Sequence, residues 1–257
     1  MDAKAGAVWE RNLFSTATGL SFFAMKPDQK FPPIFDLTQT LDASCPPYPG
    51  DPAVAVDPVL TLEKDGCRVS RLTLSTHSGT HVDAPAHVMK TYWTLDEYVP
   101  QQFFGDAFVI DCRDYRGEIG PEVLDDYIED AVSRCTWALF LTGWTKKMWK
   151  KPRYYTGSYP VPSMELLERL DALNILGIGF DSPGPDPYGE LTRHHFWLGR
   201  EGLIAENLDN LEGPNCFPRL CRFMIAPLKI AGSDAAPARA WAEIFPEDGV
   251  MVRKRGF

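Results

Sequence analysis

The stretch HSGTHVDAPAH, residues 77 to 87, constrains the fold more than any other part of the chain. Gly79, the β-branched Thr80 and Val82, and Pro85 fall within nine residues, a composition that argues against a helix. Pro85 also drives the residue before it toward an extended backbone. In an extended chain the side-chain period is two, so positions 77, 81, 83 and 87 share one face. Gly79 falls on that face too, adds no side-chain bulk and lets the chain bend. The expectation is a strand end running into a tight turn, with His77, His81, Asp83 and His87 converging. Three of the chain's five histidines lie in these eleven residues.

Imidazole nitrogen and carboxylate oxygen together suit borderline or hard divalent ions such as Zn²⁺, Mn²⁺ or Fe²⁺. Two histidines and an aspartate cover one side of an ion and leave positions open for water and substrate, which is the mark of a catalytic site. A lone histidine is ordinarily a satisfied core or surface residue, but a set of four groups on one extended face points to metal. A second cluster lies in RHHFWLGREGLIAENL. His194 and Glu206 are twelve residues apart, too far for one helix face unless the helix ends between them. Gly199 and Gly202 offer such an end and leave Glu206 on a following strand. Spacing alone does not choose between His194 and His195. No G-x-S-x-G elbow exists, which argues against a serine hydrolase.

The 257 residues carry 44% hydrophobic and 12% aromatic side chains, ordinary for a globular protein, and a formal charge of −9. That charge, with a pI near 5.1, argues against a nucleic-acid partner or an anionic membrane surface. The basic segment TKKMWKKPRYY, from Thr145, reads as a solvated loop. No apolar run approaches the roughly 18 residues of a membrane span, and the N-terminus lacks a basic-then-apolar signal peptide. The six cysteines form no C-x-x-C pair and read as reduced, buried thiols in a cytoplasmic protein. Residues 1–31 read as an N-terminal arm with one weak helix. From Pro32 onward PIFDLTQTL, VAVDPVLTLEK and CRVSRLTLST read as strands. DAFVIDC, TWALFLTGW, NILGIGFD and RFMIAPLKI read as later strands. Two helices, PEVLDDYIEDAV and PSMELLERLDAL, separate some of these, the second with Ser163 as N-cap. Antiparallel-looking strands early and βα alternation later indicate one α/β domain spanning 32–257.

HSGTHVDAPAH matches H-x-G-T-H-x-D-x-P-x-H at every fixed position. On it the chain resembles the metal-dependent cyclase family, the bacterial kynurenine formamidase-like hydrolases, with isatin hydrolases among their relatives. YPGDP (from Tyr48), TGW (Thr142 to Trp144), GFDSPGPD (Gly179 to Asp186), HHFWLGREGLIAENL and the P-x-R-A element at Pro237 and Arg239 agree with it. The resemblance covers roughly Pro32 to Phe245. It implies a swivelling β/β/α fold, a single domain with mixed sheet, and a homodimer or higher homo-oligomer. It makes His77, His81 and Asp83 ligands of a first ion, with Asp83 bridging to a second held by His194 and Glu206, and His87 the catalytic acid/base. The cofactor is then a divalent metal, zinc or manganese, at one or two ions per chain. One departure is Gly184, where relatives often carry serine, and it bears on substrate identity.

The implied reaction is hydrolysis of an amide, aryl formamide or lactam C–N bond in a small, aromatic substrate such as N-formylkynurenine or isatin. A divalent ion makes bound water acidic and polarises the carbonyl, and His87 relays the proton to the leaving group. Phe22, Phe23, Trp93, Trp144 and Trp197 are candidates to stack on an aryl group, though core packing is the ordinary role of each such residue. Two alternatives stand beside hydrolysis: a lyase or cyclase working through an enolate-like intermediate, and a non-catalytic metal-binding module, which has no need of His87.

Overall fold

The apolar runs of the second half of the chain become strands buried on both faces. The computed structural model describes residues 34–125, 127, 132–212 and 220–244. The N-terminal arm with its weak helix, Phe22, Phe23, Cys216, Phe245 and part of PEVLDDYIEDAV lie outside the described residues. In chain order the strands are β1 (Ile34–Asp36), β2 (Ala55–Leu60), β3 (Val69–Thr73), β4 (His81–Asp83), β5 (Phe104–Asp111) and β6 (Glu118–Ile119). They continue with β7 (Trp137–Leu141), β8 (Val161–Pro162), β9 (Gly177–Phe180), β10 (Leu203–Glu206), β11 (Leu220–Pro227) and β12 (Ala235–Ile244).

Eight of them form one mixed sheet in the order β1-β12-β11-β5-β7-β9-β10-β4. The segment β5-β7-β9-β10 is parallel, and β11, β12, β4 and β1 pair antiparallel. Strand β12 is long enough for β1 and β4 to share one of its edges: β1 takes Trp241 to Glu243, and β4 takes Ala235 to Pro237. Because β4 also pairs with β10, the sheet closes on itself. Arg239 pins β1 in place with two bonds to Asp36, Nε to Oδ1 at 2.9 Å and Nη2 to Oδ2 at 2.6 Å.

Alternation along each strand then fills two layers. Trp137, Leu139 and Leu141 point inward with Val82, Ala205, Phe223 and the alanines of β12. Ala138 and Phe140 point outward with Ile178 and Ile204, against Leu166, Leu167, Leu170, Trp197 and Leu198 of two helices. These helices are Met164–Ala172 and Thr192–Gly199. Ser163 caps the first as expected, its Oγ accepting from the Leu166 amide at 3.1 Å. Among the described residues no helix is long and apolar enough to cross a membrane.

Three expectations change. PIFDLTQTL ladders over only three residues. VAVDPVL and CRVSRLTL are strands, as read, and form a separate exposed two-stranded ribbon, β2–β3. Of the thiols, Cys67 is exposed while Cys45, Cys112, Cys135 and Cys221 are buried and free. The lysines of the basic segment are solvated, as expected, and pair with Glu212 and Asp42, but Tyr154 and Tyr155 turn inward.

Candidate metal centre and active site

Only His81, Val82 and Asp83 of the histidine segment are strand. Period two puts His81 and Asp83 on the outer face and Val82 in the barrel. His77 and His87 reach the same place differently. Gly79 has φ of +64°, and a Cβ there would lie 2.6 Å from Leu41 Cδ2; only glycine makes this turn, which swings His77 back. Pro85 opens a 3-10 turn, Pro85–His87, that swings His87 round. Strand register supplies the fifth group: Glu206 stands directly opposite His81 on β10. The helix Thr192–Gly199 supplies the sixth member, His194, from its first turn. His195 takes no part, so the choice that spacing left open falls on His194.

The distances are short. His77 Nδ1 is 2.9 Å from Asp83 Oδ1, and His81 Nε2 is 3.3 Å from both Asp83 Oδ1 and Glu206 Oε2. His194 Nε2 lies 3.1 Å from Glu206 Oε1 and 3.8 Å from Asp83 Oδ2. Yet His81 Nε2 and both Asp83 oxygens are buried with no partner in hydrogen-bond geometry. They converge on a point instead of bonding one another. Buried polar atoms left so cost about 1–3 kcal/mol each, and a divalent cation among them removes the deficit. Two subsets, His77–Asp83–His87 and His81–Asp83–Glu206, have ligand atoms all within 4.8 Å of one another, with Asp83 common to both. The donor set therefore fits a divalent ion.

Two carboxylates that the sequence did not single out as site residues, Asp186 and Asp234, orient three of the rings. Asp186 accepts from the Arg193 and His194 amides, each at 2.9 Å, and from His194 Nδ1 at 2.7 Å, which leaves Nε2 facing Glu206. Asp234 accepts from His77 Nε2 at 3.0 Å and His87 Nδ1 at 3.4 Å. Such carboxylate–histidine pairs fix ligand tautomers in metal sites. Burial alone lowers an imidazole's pKa, but the Asp83 charge and the Asp234 bond outweigh it and raise His77 to about 9. Burial is likewise outweighed at His194, which the Asp186 and Glu206 bonds raise to about 10. Against its own burial, Asp83 is held well below the usual carboxylate range by His81 and His77. The His77 and His87 bonds hold Asp234 low as well.

The cluster opens into a cavity of about 320 Å³ whose walls include Tyr48, Tyr155, Tyr159, Tyr188, Asp51 and Glu190. Among the described residues the aromatic walls are tyrosines; of the tryptophan candidates, Trp197 is core, Trp144 is half-buried with Nε1 on the Tyr154 carbonyl, and Trp93 lies outside the cavity lining. TGW and GFD are structural, the Thr142 and Gly143 amides and the Thr142 hydroxyl binding the buried Asp181. Gly184 has φ of +135°, and a Cβ there would strike Glu206 Oε1. A side chain at 184 would therefore press on the Glu206 carboxylate.

The closed mixed α/β sheet thus carries on its outer face a histidine–carboxylate cluster of a kind that fits a divalent ion. Residues 35–187 match the Cyclase family model. The chain is 32% identical over 214 residues to the kynurenine formamidase of Maricaulis maris strain MCS10, covering 80% of this chain and 96% of that protein. It is 29% identical over 211 residues to the kynurenine formamidase of Salinibacter ruber strain DSM 13855, covering 80% and 95%. In fold it is similar to isatin hydrolase A of Labrenzia aggregata and of Ralstonia solanacearum. Both are 24% identical, with TM-scores of 0.72 and 0.71, covering 83% of this chain and 94% and 92% of those chains. The chain belongs to the Cyclase family. Relatives of this chain are hydrolases acting on carbon–nitrogen bonds other than peptide bonds.

Proposed function

We propose that this protein is a metal-dependent hydrolase that opens the C–N bond of an aryl formamide or lactam, N-formylkynurenine-like or isatin-like, working in the cytoplasm as a homodimer. The observation that carries this reading is the buried, unpartnered set of His81 Nε2 and the two Asp83 oxygens, with His81 lining a cavity walled by four tyrosines. His77, His81 and Asp83 would hold a first ion, and Asp83, His194 and Glu206 a second, zinc or manganese. A divalent ion there supplies an acidified water and polarises a carbonyl. His87 lines the same cavity, and Asp234 accepts from its Nδ1, which leaves Nε2 to take a proton and return it to the leaving nitrogen. Tyrosine rings offer faces for an aryl group. Among the described residues no lysine or arginine lines the cavity, so a substrate with a free carboxylate has Asp51 and Glu190 to contend with. The lyase reading uses the same ligands and the same base, and differs in taking up no oxygen from water.

The test is exhaustive chelation followed by turnover of isatin, an aryl formamide and N-formylanthranilate in ¹⁸O water. Activity is expected to vanish without metal, the melting temperature to fall, and readded Mn²⁺ or Zn²⁺ to restore both. One ¹⁸O is expected per turnover, in the formate released from a formamide or in the carboxylate opened from isatin, with the anionic formamide turned over slowest. Full activity in verified metal-free protein would sink the reading, and product without ¹⁸O would move it to the lyase class.

A further inference from the structure

Directly after Glu206 comes a residue whose every polar atom is engaged. Asn207 is fully buried and sits in the left-handed region, φ +56°, which asparagine tolerates better than most residues. Its amide donates to the Ser182 carbonyl at 3.1 Å, and its own carbonyl accepts from Thr80 Oγ1 at 2.8 Å. Its side-chain Oδ1 accepts from the Tyr154 hydroxyl at 2.8 Å, and Nδ2 donates to the Gly79 carbonyl at 3.0 Å. The same Gly79 carbonyl accepts from His81 Nδ1 at 2.9 Å. A carbonyl only accepts, which fixes both assignments: Asn207 presents its amino group to Gly79, and His81 carries its proton on Nδ1. His81 Nε2 then faces Asp83 and Glu206, and in the neutral ring it is the nitrogen that offers a lone pair to an ion.

We propose that Asn207 is the positioning residue of the metal centre. Its carboxamide holds the Gly79 carbonyl, and through it the tautomer and ring angle of His81. Its backbone carbonyl, on Thr80, clamps the histidine-bearing turn to the strand end that carries Glu206. One short dipeptide, Glu206–Asn207, thus supplies a ligand and the outer support of the ligand opposite. Asparagine is required because the position needs a donor toward Gly79 and an acceptor toward Tyr154 on one short side chain. Aspartate in its place turns an acceptor against the Gly79 carbonyl. This inference rests on the metal-centre reading above and goes beyond it by naming what sets the geometry of His81.

The experiment is competition for Mn²⁺ or Zn²⁺ against a chromophoric chelator, with melting curves of the metal-free proteins beside it. The proteins compared are wild type, Asn207→Asp and Ser163→Ala, the last losing a helix cap remote from the cluster. Asn207→Asp is expected to weaken metal binding about 10- to 100-fold, the usual worth of an outer partner of a ligand. Its metal-free melting temperature is expected to fall no further than that of Ser163→Ala, whose affinity stays at the wild-type value. Affinity within twofold of wild type in Asn207→Asp overturns the proposal, whatever its stability. An equal loss in Ser163→Ala also overturns it, since general destabilisation is then the cause. If Asn207→Asp does not fold, Tyr154→Phe decides: a several-fold loss of affinity supports the assignment, and wild-type affinity ends it. Failure of the wild-type protein itself to bind either ion overturns the metal-centre reading, and this proposal with it, and is distinguishable from every outcome in which only the variant changes.

Discussion

Among the clustered side chains, His87 is the one whose assignment divides ligand from catalyst. Its ligand atoms fall in one of the two subsets close enough to share an ion, with His77 and Asp83. Its Nδ1 is nevertheless turned to Asp234 at 3.4 Å, and its ring lies 5.8 Å from that of His194, on the cavity side. Without it, His77 Nδ1 and His81 Nε2 still face Asp83 Oδ1 at 2.9 and 3.3 Å. His87→Ala is therefore expected to retain metal while turnover falls about 10²- to 10⁴-fold, the range for general acid–base catalysis. Metal content per chain and kcat, measured on the same preparation, decide the matter. Loss of metal would make His87 a ligand, and undiminished kcat would make it a bystander.

At the scale of elements, the cluster is a meeting of β4, β10, one helix and a loop before β12, and its protons belong to that meeting. Without metal, His77 and His194 are raised from the ordinary 6.5 to about 9 and about 10. Histidines so raised contribute stability that is fully present below about pH 6.5 and is lost as pH climbs through 9 to 10. Asp83 and Glu206 are lowered from 3.8 and 4.5, so their contribution is present above those values and is lost as pH falls below them. The metal-free protein is expected to be most stable near pH 5 to 6.5 and to melt progressively lower from pH 7 to 9.5. Ion binding displaces the same protons, so affinity is expected to rise across that window. Melting curves of metal-free and loaded protein against pH check both, and a metal-free melting temperature that rises toward pH 9.5 would contradict the pairing. How much of this was legible follows the same division. His81 and Asp83 follow from period two, and the break that puts His194 on a helix and Glu206 on a strand was readable from glycine placement. Asp234 was not, because it stands 147 residues from His87 and meets it only through the pairing of β12 with β4. The tyrosine walls escaped for a similar reason: loops far apart in sequence, at Tyr48, Tyr155 and Tyr188, assemble them.

For the whole molecule, the ribbon β2–β3 poses the remaining problem. Val56 pairs with Leu72 and Leu60 with Val69 across it, yet Val56, Val59, Val69 and Leu72 are all exposed, Leu72 to 60%. A two-stranded ribbon is marginal by itself in water, and a cluster of exposed apolar side chains marks an interaction surface more often than chance exposure. The ribbon projects from the segment between Asp51 and Ser75, which Ser75 Oγ ties together by its 2.8 Å bond to Asp51 Oδ2 at the cavity wall. A second copy covering the ribbon would therefore also steady the cavity. Wild-type protein is expected to sediment as a dimer or a higher oligomer of this chain, and Leu72→Lys, which sets a charge on the ribbon face, to shift it toward monomer. Because Leu72 lies outside the cavity lining, metal content should stay at the wild-type level while KM rises more than kcat falls. A wild-type monomer at micromolar concentration would remove the oligomer from the proposal. A Leu72→Lys oligomer as tight as wild type would move the contact to another face, where Phe104, Leu228 and the apolar cleft of about 500 Å³ beside them are the next surface to charge.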